Sequence, residues 1–134
     1  MKKILSILSL SLLSSCAVVD AYLMTHYDPN EYGLITAIRA ESRQFKDQCD
    51  DFGASRSNAA KLAADTQLFM MYSEHIPRNK DLISASQELN VIAKGLADQY
   101  AKSDKVSTAF CKIKFTSIET SADKIQTVTA GRPR

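Results

Sequence analysis

Between Leu82 and Tyr100 apolar side chains recur at steps of three and four: Leu82, Ala85, Leu89, Ile92, Leu96 and Tyr100. Only an α-helix, with about 3.6 residues per turn, gathers such a series on one face. The same spacing returns three more times. Tyr32, Ile35, Ile38, Phe45, Cys49 and Phe52 form one series, with Ser42 in the missing turn. Leu62, Thr66, Phe69, then Tyr72 or Ser73, and Ile76 form another. Val106, Phe110 and Ile113 open the last, which drifts to Cys111, Phe115, Ile118, Ala122 and Ile125. No run keeps the alternation of a half-buried strand. The chain of 134 residues is the length of one domain. The fold class predicted is therefore all-α, an antiparallel four-helix bundle over residues 28–129 with a basic tail at 130–134.

The punctuation agrees with the periodicity. Asp28, Pro29 and Glu31 read as cap, first helical residue and third, a D-x-x-E capping box, so Asp28 and Glu31 are the expected helix-cap residues. Asp50, Asp51 and Gly53 suit a stop, and a second helix is expected from about Ser57 to Ile76, ended by Pro77. Asn79 is placed to cap the third helix, and Ser103-Asp104-Lys105 the fourth, which ends near Thr129. Gly95 costs its helix about 1 kcal/mol relative to alanine, which is the signature of a close helix approach.

The N-terminus has a different character. Lys2 and Lys3 precede an apolar run, Ile4 to Leu13, then Ser14, Ser15 and Cys16. Ten helical residues at about 1.5 Å each fall short of a bilayer core about 30 Å thick, so the run reads as an export signal and not a span. Leu13-Ser14-Ser15-Cys16 resembles the lipobox of bacterial lipoproteins. The resemblance implies a signal peptide over residues 1–15 and acylation of Cys16. It also implies a lipid anchor with a membrane-proximal segment over residues 16–27, since the cysteine becomes the first residue of the mature chain. Ala17 follows it, where aspartate is associated with inner-membrane retention, so the resemblance implies the outer membrane and a domain facing the periplasm. Residues 17–27 carry Val18, Val19, Tyr22, Leu23 and Met24, and either lie on the membrane or extend the first helix.

Lipidation takes one of the three cysteines. Cys49 and Cys111 remain as an even pair in an oxidising compartment, where disulfides persist. A Cys49–Cys111 bridge across the ends of helices one and four is expected, in preference to two buried thiols. Closing a loop of about 60 residues stabilises by roughly 4 kcal/mol in the chain-entropy model.

Other constellations are weak. Asp28 to Gly33 begins like a calcium loop, but Tyr32 and Arg39 occupy ligand positions. Met71 and His75 are four apart on a helix and offer two soft ligands to copper, too few for a site, so no cofactor and no metal ligand is assigned. Haem through His26 or His75 has no supporting motif. Glu74 and His75 are adjacent and diverge by about 100° on a helix, so they make no acid–base pair. No catalytic residue is assigned and the expectation is not an enzyme. The excess of 17 basic over 15 acidic side chains is carried by Lys2 and Lys3, so the mature chain is balanced and a nucleic-acid partner is not expected. Residues 16–79 hold six basic and nine acidic groups, while residues 80–134 hold nine and six. Mutual neutralisation within the fold is the favoured account of that division.

These readings converge on a non-enzymatic binding or interaction protein, with the membrane as one partner through its lipid and an envelope protein as the other. The stretch Tyr27-Asp28-Pro29-Asn30-Glu31-Tyr32 and the ending Gly131-Arg132-Pro133-Arg134 also resemble parts of small lipoproteins encoded by tailed phages. That resemblance implies either an outer-membrane spanin subunit acting in host lysis or a lipoprotein of superinfection exclusion.

Overall fold

Asp28, Asp51 and Ser107 each accept a hydrogen bond from the backbone N–H three residues on, and three of the four helices among the described residues start at those caps. The computed structural model describes residues 25–134. The four helices are α1 (Pro29–Lys46), α2 (Phe52–Glu74), α3 (Lys80–Lys102) and α4 (Thr108–Ala130). They form a four-helix bundle in which α1 packs most closely on α4 and α2 on α3. The expected signal peptide, Cys16 and residues 16–24 of the membrane-proximal segment lie outside the described residues. Thr25 to Asp28 has no regular secondary structure.

Each helix buries a strict heptad series. In α1 and the turn after it the buried set is Glu31, Ile35, Ile38, Ser42, Phe45 and Cys49. In α2 it is Ser55, Ala59, Leu62, Thr66, Phe69 and Ser73. In α3 it is Leu82, Ser86, Leu89, Ala93, Leu96 and Tyr100. In α4 it is Cys111, Phe115, Ile118, Ala122, Ile125 and Thr129, with Gln126 beside them. A repeat of 3.5 residues drifts about 20° per heptad from a straight helix, which favours a left-handed supercoil. Contacts between opposite helix ends show the antiparallel order. Glu31 at the start of α1 meets Ser73 at the end of α2, and Phe45 at the end of α1 stacks edge-on with Phe115 near the start of α4. Phe52 at the start of α2 lies against Tyr100 at the end of α3.

Serines and threonines fill core positions without leaving their hydroxyls unpaired. Ser42, Thr66 and Thr129 donate to the carbonyls of Ile38, Leu62 and Ile125, one turn back, at 2.6–2.8 Å. Ser86 donates to Ile83 at 2.8 Å. Among the described residues no buried side-chain polar atom lacks a partner.

The bridge between Cys49 and Cys111 is present, with the Cα atoms 5.8 Å apart. It closes the end of the bundle where α1 leaves and α4 begins, and both cysteines are buried.

Several sequence expectations are corrected. The helix expected from Ser57 begins five residues earlier, because Asp51 is a cap and not part of a stop, and Gly53 lies in the first turn of α2. Phe52 therefore belongs to α2. In α3 the buried stripe runs through Ser86 and Ala93, while Ala85 and Ile92 sit half-buried at its margin. In α4 the core runs from Cys111, and Ile113 is 64% exposed. Ser107 caps α4, while Ser103 makes a local turn with Lys105. Gly95 marks no close approach, since a Cβ there would meet nothing within 4 Å.

Candidate functional site

The end of the bundle opposite the disulfide gathers the polar residues that the sequence scatters most widely. α1 and α3 begin there, and α2 and α4 end there. At its centre Glu31 is fully buried. Its backbone N–H donates to Asp28 Oδ1 at 2.8 Å, as a cap requires. Its carboxylate turns inward across the bundle, away from the role a capping box gives it. Oε2 accepts from Arg132 Nη1 at 2.6 Å. Oε1 accepts from Ser73 Oγ at 2.9 Å and from Asn79 Nδ2 at 2.7 Å.

Asn79 completes the arrangement. Its side chain was expected to cap α3 and makes no cap hydrogen bond. Nδ2 also donates to the Ser73 carbonyl at 3.0 Å, and Oδ1 accepts from Arg132 Nη2. The guanidinium of Arg132 thus presents two parallel N–H groups to two different acceptors, one charged and one neutral. A planar fork does this from two nitrogens at a fixed spacing, whereas a lysine would have to serve both acceptors from one. Arg132 is itself 8% exposed at the side chain.

The backbone that delivers Asn79 to this position is strained. Arg78 has φ 65°, the only non-glycine positive φ among the described residues. The αL conformation costs a side chain about 1–2 kcal/mol. It turns the chain sharply between Pro77 and α3, and the Thr25 hydroxyl donates to the Arg78 carbonyl at 2.6 Å.

The segment after α4 is held on the same pole. The Tyr27 N–H donates to the Pro133 carbonyl at 2.8 Å, and the Arg134 guanidinium lies 5.0 Å from the Tyr27 ring centre. Tyr27 contacts Tyr32 at 5.7 Å, and the Tyr72 hydroxyl reaches the Asp28 carboxylate at 3.1 and 3.2 Å. The stretch read as a basic tail is therefore latched to the segment that enters α1. Two clefts of about 330 Å³ each flank the latch. One is lined by Thr25, Arg78, Asp81 and Arg132 among others, the second by His26, Tyr27, Ile76 and Pro77.

The remaining expected groups fall elsewhere. Met71 is half exposed, and the His75 ring nitrogen lies 2.8 Å from the Met71 carbonyl. No cluster of three or more His, Cys, Asp or Glu among the described residues is arranged to hold a metal. No helix among them is long and apolar enough to cross a membrane. The division of charge between the halves is bridged mostly against its own sign. Arg39, Arg43 and Lys46 of the acidic half pair with Asp123 and Glu119 of the basic half. Glu31–Arg132 alone among the cross-half pairs of the described residues follows the imbalance. The surplus acids of the first half are thus not, apart from Glu31, neutralised by ion pairs with the surplus bases of the second among the described residues.

Sequence reasoning placed Glu31 and Arg132 in separate motifs, and Asn79 and Ser73 in none that joined them. The available signal was a glutamate, a serine and an asparagine at helix ends that a four-helix order brings to one pole. Compared with protein families, with curated proteins and with solved structures, the chain matches no family model, no curated protein and no solved structure.

Proposed function

We propose that the chain is a lipoprotein anchored through Cys16 to the outer membrane, with its helical bundle in the periplasm as a non-enzymatic interaction module. The observation that carries this reading is the run from Lys2 to Cys16, a charged start, a short apolar stretch and Leu13-Ser14-Ser15-Cys16. The Cys49–Cys111 bridge supports it, because disulfides persist in exported proteins. The segment entering from the anchor meets the fold at the Glu31 pole, which puts that pole within about 35 Å of the lipid even for a fully extended connection. Glu31 has both oxygens engaged by the protein's own donors, which suits a latch and not a proton-transfer group.

Metabolic labelling with an alkyne fatty acid tests the anchor. Label is expected on the wild type in the outer-membrane fraction and absent from Cys16→Ser. Unlabelled wild-type protein free in the periplasm would overturn the reading. In a diderm host Ala17→Asp is expected to move the protein toward the inner membrane. Cross-linking in the native envelope, followed by purification, then reads out the protein partner.

A second reading, a phage lipoprotein acting in lysis or superinfection exclusion, is favoured by one observation. The two segments that resemble such proteins meet in space, Tyr27 with Pro133 and Arg134, and Glu31 with Arg132. A lysis delay on deletion would support the first role, and unchanged lysis with lost receptor blocking the second.

A further inference from the structure

We propose that the Glu31 pole is a receptor for a short peptide segment of the type Arg-Pro-Arg, filled here by residues 132–134, which have no regular secondary structure, and able to take the same segment from another chain. This goes beyond the anchoring proposal and holds whether or not Cys16 is acylated.

The pole has the parts of a built site. Its acceptors are fixed before the peptide is considered: Ser73 and Asn79 orient the Glu31 carboxylate, and Asn79 is in turn held by the Ser73 carbonyl. Glu31, Ser73 and Asn79 are all at most 2% exposed. What they present to the peptide is one carboxylate oxygen and one amide oxygen, matched by the two Nη atoms of Arg132. The second residue needs only a carbonyl, which the Tyr27 N–H binds, and proline brings no N–H that would go unpaired. The third residue is read by its cation on the Tyr27 ring. Each residue of the peptide thus has a partner, and the partners lie on the bundle or on the segment leading into it.

Release and exchange differ in consequence. Withdrawal of Arg132 leaves a fully buried carboxylate without its cation, so an empty site is strongly disfavoured. Replacement by a second guanidinium restores every bond. The cleft along Arg132, Thr25, Arg78 and Asp81 gives a solvent route to the socket. A short connection holds the resident segment at an effective concentration on the order of millimolar, so a free peptide competes with it only at comparable concentration.

The test uses the full chain carrying Arg132→Ala and a free peptide of residues 129–134. The peptide at millimolar concentration is expected to raise the thermal midpoint by about 5 °C. The same peptide with lysine in place of its first arginine is expected to do nothing, and so is the arginine peptide on the double variant Glu31→Gln, Arg132→Ala. Recovery of folding by the peptide, where the single variant alone is unfolded, is the same positive result. Arg132→Lys keeps a cation and serves as a second receiver, in which the arginine peptide is expected to displace the lysine and raise the midpoint. No response in either receiver up to about 10 mM, or an equal response to the lysine peptide, overturns the proposal.

Discussion

Glu31 stands at the third position of α1, where a glutamate ordinarily turns back to the cap. Here it spans the bundle, because Arg132, Asn79 and Ser73 offer it three donors in a buried site. An exposed ion pair is worth about 0–1 kcal/mol, but breaking a buried one from one side costs about 3–5 kcal/mol. Arg132→Met is therefore expected to lose about 3–5 kcal/mol in urea unfolding, and Glu31→Gln with Arg132→Met to lose much less than the two changes summed. Additive losses would mean that the pair is not coupled. The glycines make the opposite point. Gly33 and Gly95 lie on exposed helical faces with open space where a Cβ would go. Gly33→Ala and Gly95→Ala are each expected to stabilise by about 0.5–1 kcal/mol, measured by the same denaturation.

At the level of the element, the helices were legible because their apolar spacing is regular, while their edges and exact faces were less so. Asp51 reads equally as the end of one helix or the cap of the next, and the choice follows from its side chain accepting the Ala54 N–H. In α3, a series through Ala85 and Ile92 and one through Ser86 and Ala93 differ by a single residue of rotation. Packing selects the smaller residues, since a bundle core with Leu82, Leu89 and Leu96 in alternate layers has room only for small side chains between them. Ala93→Leu is accordingly expected to cost about 1–3 kcal/mol through overpacking, and half-buried Ala85→Leu under about 1 kcal/mol. Equal effects would place both residues outside the core. Between α1 and α2, Lys61 bridges Asp65 and Glu41 at 2.7 and 2.6 Å, and those bonds, Asp65 first, hold its ammonium pKa above the ordinary 10.5. A raised lysine pKa stabilises below its unfolded value and loses that effect as pH rises through the folded one. The tie is therefore constant at neutral pH and lapses only in strong alkali, and being half exposed it adds little.

The whole molecule is fastened at both ends by different chemistry. One pole carries the covalent Cys49–Cys111 bridge over a sequence separation of 62, the other an ionic latch between residues 101 apart. Both join α1 to α4, the first and last helices of the described residues, which are the pair that the connections between these four helices leave free to separate. Cys49→Ser with Cys111→Ser is expected to lower stability by about 4 kcal/mol, and reductant is expected to shift the wild type by the same amount and leave the variant unchanged. A reductant effect on the double variant would point to a different cause.

By itself the sequence determined the helical class, the four helices of the described residues and the pairing of Cys49 with Cys111. Those properties depend on local spacing and composition, and the chain states them residue by residue. Only the tertiary structure decided that Glu31, Ser73, Asn79 and Arg132 form one buried cluster and that a stretch read as a basic tail is latched to the segment entering α1. Those residues carry no mutual spacing in the chain. They become neighbours only when four helix ends are brought to one pole, where burial turns ordinary polar side chains into obligatory partners.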